Sequence, residues 1–109
     1  MAWLVRDGEV LAAAEIADGA HARRRGLLRR ERFEGAFVLR PCRHVHTLGM
    51  RFPIDVAFCD ASGVVLRTGT LAPWRLSPVV RRAAFVIEAE AGAFDRWRLQ
   101  RGDILELRA

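Results

Sequence analysis

The stretch from residue 54 to residue 71 restricts the fold more than any other part of the sequence. Its first six residues alternate between two sides of an extended chain, with Ile54, Val56 and Phe58 on one side and Asp55, Ala57 and Cys59 on the other. Asp60-Ala61-Ser62-Gly63 then has the composition of a turn, and residues 64–71 supply a return strand. The stretch predicts a β-hairpin, with the remaining strands closing around it.

Short strands are also predicted elsewhere along the chain, because apolar residues alternate between turn-forming ones. These segments cover residues 3–6, 10–16, 36–40, 83–90 and 104–108. Asp7-Gly8 is a two-residue hairpin signal between the first two of them. Residues 92–99 favour either one or two helical turns or a compact loop, with Phe94 and Trp97 on one side.

One short helix is predicted near residues 19–30, with Asp18 as its N-cap. About seven strands and this helix predict a mainly β (α+β) fold, a compact antiparallel β-sandwich or barrel. A length of 109 residues is typical of one domain, so we expect residues 1–109 to form a single unit.

The composition indicates a cytoplasmic protein without a membrane span. No apolar run approaches the roughly 18 residues that a spanning helix needs, and the N-terminus lacks the features of a signal peptide. Cys42 and Cys59 match no zinc or redox spacing. We therefore expect two reduced thiols, with Cys59 as a small buried apolar residue.

The positive charge is concentrated in one segment. All 18 basic residues are arginine, and the formal net charge is +5. Residues 23–32 account for that excess, and the candidate anion-binding residues among them are Arg23, Arg24, Arg25, Arg29 and Arg30. The segment is either a solvated helix face or the binding site for an anionic partner. It lacks the interleaved aromatic residues of single-strand binders, which argues against nucleic acid.

His44 and His46 are the first candidate site residues. Two positions apart, they would share one side of an extended chain, as paired imidazoles at a metal site do. A metal-dependent enzyme using both is therefore one alternative. In the other, one histidine is exposed and the second forms a hydrogen bond near the loop.

Asp55 and Glu88 are the other candidates, because each is an acidic residue within an apolar strand. A buried carboxylate needs hydrogen-bond partners, or its pKa must rise. Asp55 either points to solvent, accepts backbone N–H groups from residues 44–50, or lies in a pocket beside His46 and Glu88. For Glu88, too, the sequence leaves open whether the carboxylate points to solvent or is buried.

The sequence contains no nucleophile motif, phosphate-binding loop or dinucleotide fingerprint. This favours a binding protein over an enzyme and predicts no cofactor. We expect a small ligand- or partner-binding β module, monomeric or dimeric, with its polar site at His44, His46, Asp55 and Glu88.

Several motifs, in order along the chain, resemble those of the DUF192 (UPF0127) family. They are Arg23-Arg24-Arg25-Gly26-Leu27-Leu28, Gly35 before Phe37-Val38-Leu39, Pro53-Ile54-Asp55 before Phe58, Val86-Ile87-Glu88 before Ala91-Gly92, and Gly102-Asp103. The resemblance covers about residues 15–107. It implies a compact β-rich fold with a short helix, implies no reaction, and marks Arg23, Asp55 and Glu88 as shared polar positions. Residues 46–52 depart from the aromatic-Met-Lys-Asn-Thr run of many relatives.

Overall fold

Seven strands and one short helix make up the described part of the protein. The computed structural model describes residues 2–18 and 34–109. The strands are β1 (Ala2–Arg6), β2 (Glu9–Asp18), β3 (Ala36–Arg40), β4 (Ile54–Cys59), β5 (Val65–Leu71), β6 (Phe85–Glu90) and β7 (Leu105–Arg108). The helix is α1 (Ala93–Trp97). Each predicted strand is confirmed, and residues 92–99 take the helical alternative.

The strands form one sheet in the order β5-β4-β6-β3-β2-β1-β7. Both predicted hairpins are present, since β1 pairs with β2 and β4 pairs with β5 in antiparallel fashion. The prediction of a wholly antiparallel sheet is wrong for one pair, because β2 and β3 run parallel. The segment between them, residues 19–35, is long enough for the crossover that parallel neighbours require.

The sheet curls into a half-barrel whose two edges meet at one point. Val64 and Ile104 form an antiparallel bridge beside the edge strands β5 and β7. Gly63 permits this approach, because a Cβ atom there would collide with the carbonyl oxygen of Leu105, and its φ of +89° is one that favours glycine. The predicted barrel is thus confirmed in its open form, as a single sheet.

Each face of the sheet has its own cover. The α1 face packs against the short helix and its core includes Leu4, Val38 and Phe94. The loop face is covered by the connections that follow β3 and β5, through residues such as Val45 and Met50. Because β4 and β6 are central strands, the side chains on both of their faces are buried.

A row of small residues makes room for α1. Four alanines lie side by side on the α1 face of β1, β2, β3 and β6, and Asp55 and Thr70 continue the row on β4 and β5: Ala2, Ala14, Ala36, Ala89, Asp55 and Thr70. Because alanine projects only one carbon, the ring of Phe94 can lie close to the sheet.

Asp18 is the last residue of β2, and its carboxylate binds the Arg40 guanidinium at 2.6 Å, which it reaches because the two are paired in register. The helix predicted at residues 19–30 lies outside the described residues, as do Arg23, Arg24, Arg25, Arg29 and Arg30.

Candidate functional site

Asp55 holds the first turn of α1. Its side chain is only 5% exposed. One carboxylate oxygen accepts a hydrogen bond from the Thr70 hydroxyl at 2.7 Å. The other accepts the N–H groups of Gly92 and Phe94 at 3.0 and 3.1 Å. These are N–H groups at a helix start, which have no partner within the helix. Asp55, which lies on β4, therefore supplies the hydrogen-bond acceptor for these two N–H groups of α1.

Arg6 does the corresponding work at the other end of α1. Its guanidinium donates to the Trp97 carbonyl at 2.7 Å and to the Arg98 carbonyl at 3.0 Å. It also forms a 3.0 Å ion pair with Asp103. An anionic group at the N-terminus and a cationic one at the C-terminus match the helix dipole. Asp55 and Arg6 thus fix a five-residue helix across the half-barrel, which is a structural role.

Glu88 is buried without such partners. It lies between Phe37 and Val56 on the loop face and is 4% exposed. No described residue donates a hydrogen bond to its carboxyl group. Its oxygens keep a slight contact with solvent, since no enclosed side-chain oxygen among the described residues lacks a partner. Burial raises the pKa of Glu88 to about 8, so the group is mostly protonated at neutral pH.

The two buried acids do not converge. Asp55 faces Ala89 across β4 and β6, whereas Glu88 faces Val56. Because these pairs are one residue apart in register, the two side chains point to opposite faces of the sheet. The pocket suggested by the sequence, with Asp55 and Glu88 side by side, is therefore not formed.

The two histidines do share one side of the chain. Both His44 and His46 are exposed, while Val45 and Thr47 between and after them are buried. Nδ1 of His46 accepts the Leu48 N–H at 3.2 Å. Within residues 2–18 and 34–109, no cluster of three or more metal-binding side chains is found. Metal binding by the two histidines stays a prediction.

Thr47 ties together the two loops that cover the loop face. Its N–H donates to the Arg75 carbonyl at 2.8 Å, and its own carbonyl accepts the Trp74 N–H at 2.9 Å. Its buried hydroxyl donates to the Ala72 carbonyl at 2.6 Å and accepts the Arg75 N–H at 2.8 Å. Residues 41–53 and 72–84 are thereby fixed to one another, and we call them the paired loops.

Further hydrogen bonds extend this pairing along both loops. Ser77 and Val45 are joined twice, since the Ser77 N–H donates to the Val45 carbonyl and the Val45 N–H donates to the Ser77 hydroxyl, both at 2.9 Å. The Val80 N–H donates to the Arg43 carbonyl at 2.9 Å. His46 and Leu76 stand directly opposite each other as an antiparallel bridge. The paired loops are therefore a short ribbon with two distinct sides.

The outer side of this ribbon exposes large apolar residues beside the histidines. We define the paired-loop surface as His44, His46, Leu48, Trp74 and Leu76. Trp74 is 64% exposed, Leu76 70% and Leu48 41%. Trp74 also has a φ of +63°, a left-handed conformation that costs a non-glycine residue about 1–2 kcal/mol. Strained residues of this kind cluster at binding sites.

The charge around the paired-loop surface has one sign. Residues 41–53 and 72–84 contain no Asp or Glu, but they contain five arginines: Arg43, Arg51, Arg75, Arg81 and Arg82. All five are exposed. The surface therefore combines aromatic and aliphatic groups with uncompensated positive charge.

The sequence pattern identifies the histidines in this region but not the residues that organise it. Thr47 and Ser77 were not recognised, because residues 44–52 have no strand or helix period. Trp74 and Leu76 lie between Pro73 and Pro78, in a stretch whose composition predicts only a loop. A useful signal was available, since the loops contain no acidic residue.

The two cysteines are free thiols in the structure. Cys59 lies in the core, as predicted, and burial raises its pKa to about 12. Cys42 lies at the base of the paired loops, where its N–H donates to the Ala84 carbonyl at 3.1 Å. Neither thiol lies within a recognised group of metal-binding side chains in the described ranges.

Fold and site together define a small half-barrel β protein with a tied pair of loops on one face. A family model, DUF192 (Uncharacterized ACR, COG1430), matches residues 2–107. The chain is also 33% identical over 103 residues to a UPF0127 protein of Pyrococcus furiosus, an alignment covering 90% of this chain and 89% of the archaeal one. The chain therefore belongs to the DUF192 family, which confirms the resemblance.

Two solved structures share the fold. A protein of unknown function from Novosphingobium aromaticivorans is 17% identical, with a TM-score of 0.81 over 96% of this chain and 82% of that one. A candidate transcription regulator from Sinorhizobium meliloti is 20% identical, with a TM-score of 0.79 over 96% and 90% of the two chains. At these identities the comparison establishes the architecture alone.

The described residues include no helix that is both long enough and apolar enough to span a bilayer.

Proposed function

We propose that the protein is a binding module, and that its paired-loop surface receives an acidic segment of another protein. The observation that carries the proposal is the exposed group of Leu48, Trp74 and Leu76 around His46. Large apolar residues exposed together on a small domain mark interaction sites. Tryptophan and arginine are also the side chains that contribute most binding energy at protein interfaces.

The charge of the paired loops selects the partner. Five arginines without an acidic neighbour in either loop repel basic partners and attract acidic ones. A suitable segment carries Asp or Glu around one apolar side chain that contacts Trp74 and Leu76. The imidazole rings of His44 and His46 add hydrogen-bond donors for such a segment.

The rigidity of the surface supports the same function. Thr47 and Ser77 fix the backbone of both loops from their buried side. The backbone that carries the outward residues therefore has little conformational freedom to lose on binding, which reduces the entropy cost. Asp55 and Glu88 support the frame from within the sheet, and we assign them no contact with the partner. We likewise propose no chemical reaction for this surface.

Selection from a random peptide library tests this proposal. We expect the wild-type protein to enrich peptides with acidic residues flanking an apolar one, and the affinity of those peptides to fall with added salt. The double variant Trp74→Ala, Leu76→Ser should weaken them at least tenfold. Val10→Ser removes an exposed apolar side chain from β2, outside the paired loops, and should change nothing.

The outcomes discriminate clearly. Enrichment of neutral or basic peptides would contradict the predicted partner. Acidic peptides that bind the double variant as tightly as the wild type would place the site elsewhere. Both results are interpretable because Trp74 and Leu76 are exposed, so their replacement leaves the core intact.

A further inference from the structure

A second feature lies away from the paired-loop surface, along the edge strand β5. Here the chain forms an open cleft of about 750 Å³. Its walls come from three separate segments: residues 66–68 of β5, residues 79–82 of the second paired loop, and Arg101 in the turn before β7. Its volume is within the range of small-molecule sites, which is roughly 300–1,000 Å³.

The cleft is strongly positive. Four of its lining residues are arginines, Arg67, Arg81, Arg82 and Arg101, and none is acidic. Arg6, Arg40 and Arg108 each form an ion pair with a nearby carboxylate. The side chains of the four cleft arginines form no ion pair or hydrogen bond with any residue in the described ranges. Four uncompensated guanidinium groups repel one another, and a bound anion would relieve that repulsion.

Protection of the sheet edge explains only part of this arrangement. A charged side chain on an edge strand discourages pairing with other chains, and Arg67 on β5 suits that purpose. Arg81, Arg82 and Arg101 belong to other segments and have no such need. Their arrival at the same cleft requires a second explanation.

The remaining walls specify what kind of anion fits. The remaining lining residues are three apolar ones, Leu66, Val79 and Val80, and one with a hydroxyl group, Thr68. Guanidinium groups bind phosphate through paired, parallel hydrogen bonds. A ligand that satisfies several of them carries at least two negative charges, and one that also covers the apolar wall carries an uncharged planar or aliphatic part.

We infer that the cleft between β5 and residues 79–82 binds a small organic phosphate with at least two negative charges, such as a nucleoside diphosphate. This site is independent of the paired-loop surface, because the two share no defining residue. Binding here and binding of a protein partner can therefore fail separately.

Calorimetric titration of the full chain tests the inference at constant ionic strength. The probes are ADP, pyrophosphate, inorganic phosphate and uncharged adenosine. We expect ADP to bind most tightly, pyrophosphate less so, phosphate more weakly still, and adenosine not at all. The double variant Arg81→Gln, Arg82→Gln should weaken ADP at least tenfold.

The matched control is Arg43→Gln, Arg51→Gln, which removes the same charge from the paired loops outside the cleft and should change ADP affinity less than twofold. Equal weakening by both double variants would show that ADP affinity depends only on the net charge of the protein, and it would overturn the proposed site. Absence of ADP binding to the wild type, or equal binding of adenosine, would also overturn it. The same holds if oligoglutamate or single-stranded DNA binds more than tenfold tighter than ADP.

Folding of each variant is checked by circular dichroism, and the four arginines that are replaced are all exposed. Because Arg81 and Arg82 also belong to the positive charge of the paired loops, the comparison is with the control: lost ADP binding by Arg81→Gln, Arg82→Gln, with acidic-peptide binding weakened no more than by Arg43→Gln, Arg51→Gln, would separate this site from the paired-loop surface.

Discussion

Asp55 and Glu88 lie on neighbouring strands and are buried to nearly the same extent, yet their surroundings differ completely. Asp55 accepts three hydrogen bonds on the α1 face. Glu88 receives none from a described residue on the loop face, and burial raises its pKa to about 8. The difference teaches that the donors around a buried acid, more than its burial, decide whether it stabilises the fold.

The largest expected effect concerns Glu88 and pH. Below about pH 4.5 the group is protonated in both the folded and the unfolded chain. Between about pH 4.5 and 8 only the unfolded chain releases the proton, so the free energy of unfolding falls as pH rises and levels off above pH 8. The loss is on the order of 5 kcal/mol.

Urea unfolding from pH 4.5 to 9 measures this dependence. Glu88→Gln removes the titrating group and keeps its size, so its free energy of unfolding should be nearly constant over the same range. A wild-type protein that is equally stable at pH 5 and pH 8 would show that Glu88 has a partner.

The next largest effect is expected at Asp55. Asp55→Ala leaves the Gly92 and Phe94 N–H groups without an acceptor, and we expect it to lower the free energy of unfolding by about 3 kcal/mol. Asp95→Ala, an exposed change in the same helix, should cost less than about 0.5 kcal/mol. Equal costs, measured by urea unfolding at one pH, would mean that Asp55 does not hold α1.

The smallest expected effect comes from giving Glu88 a hydrogen-bond donor of the kind that Asp55 already has. Val56 stands directly opposite Glu88, so Val56→Thr places a hydroxyl donor beside the buried carboxyl group. We expect the pKa of Glu88 to fall by about one unit, which reduces the stability loss between pH 5 and 8 by about 1 kcal/mol. NMR titration of the Glu88 carboxyl carbon measures the pKa directly.

Val65→Thr is the control for this change. It buries the same hydroxyl group on the α1 face, where it cannot reach Glu88. The titration of Glu88 should then match that of the wild type. An unchanged Glu88 pKa in both variants would show that one nearby hydroxyl group cannot replace the three hydrogen-bond donors around Asp55.

Local pattern explains why the strands were predictable from the sequence. The β4–β5 hairpin follows from alternation over residues 54–59 and a four-residue turn, which are adjacent in the chain. The parallel pairing of β2 with β3 was not predictable in this way, since residues 19–35 separate the two strands and no local turn signal joins them. The sequence also left open whether residues 92–99 are helical.

The site was less predictable because its contacts join distant residues. The N–H groups that Asp55 accepts lie 37 and 39 positions along the chain. Nothing near Asp55 in the sequence identifies them. That Asp55 and Glu88 face opposite ways follows only from the register of β4 against β6. Thr47 pairs with residues 72–75 without any periodic signal in either loop.

The two-sided ribbon made by the paired loops has an evolutionary consequence. Thr47, Ser77 and Val45 face inward and hold the backbone. His46, Trp74 and Leu76 face outward, and within the described ranges the one side-chain hydrogen bond among them is from the Leu48 N–H to His46, inside the same loop. Substitutions on the outer side therefore leave the frame unchanged. A lineage could exchange one partner for another through these few positions, while the half-barrel beneath them is inherited intact.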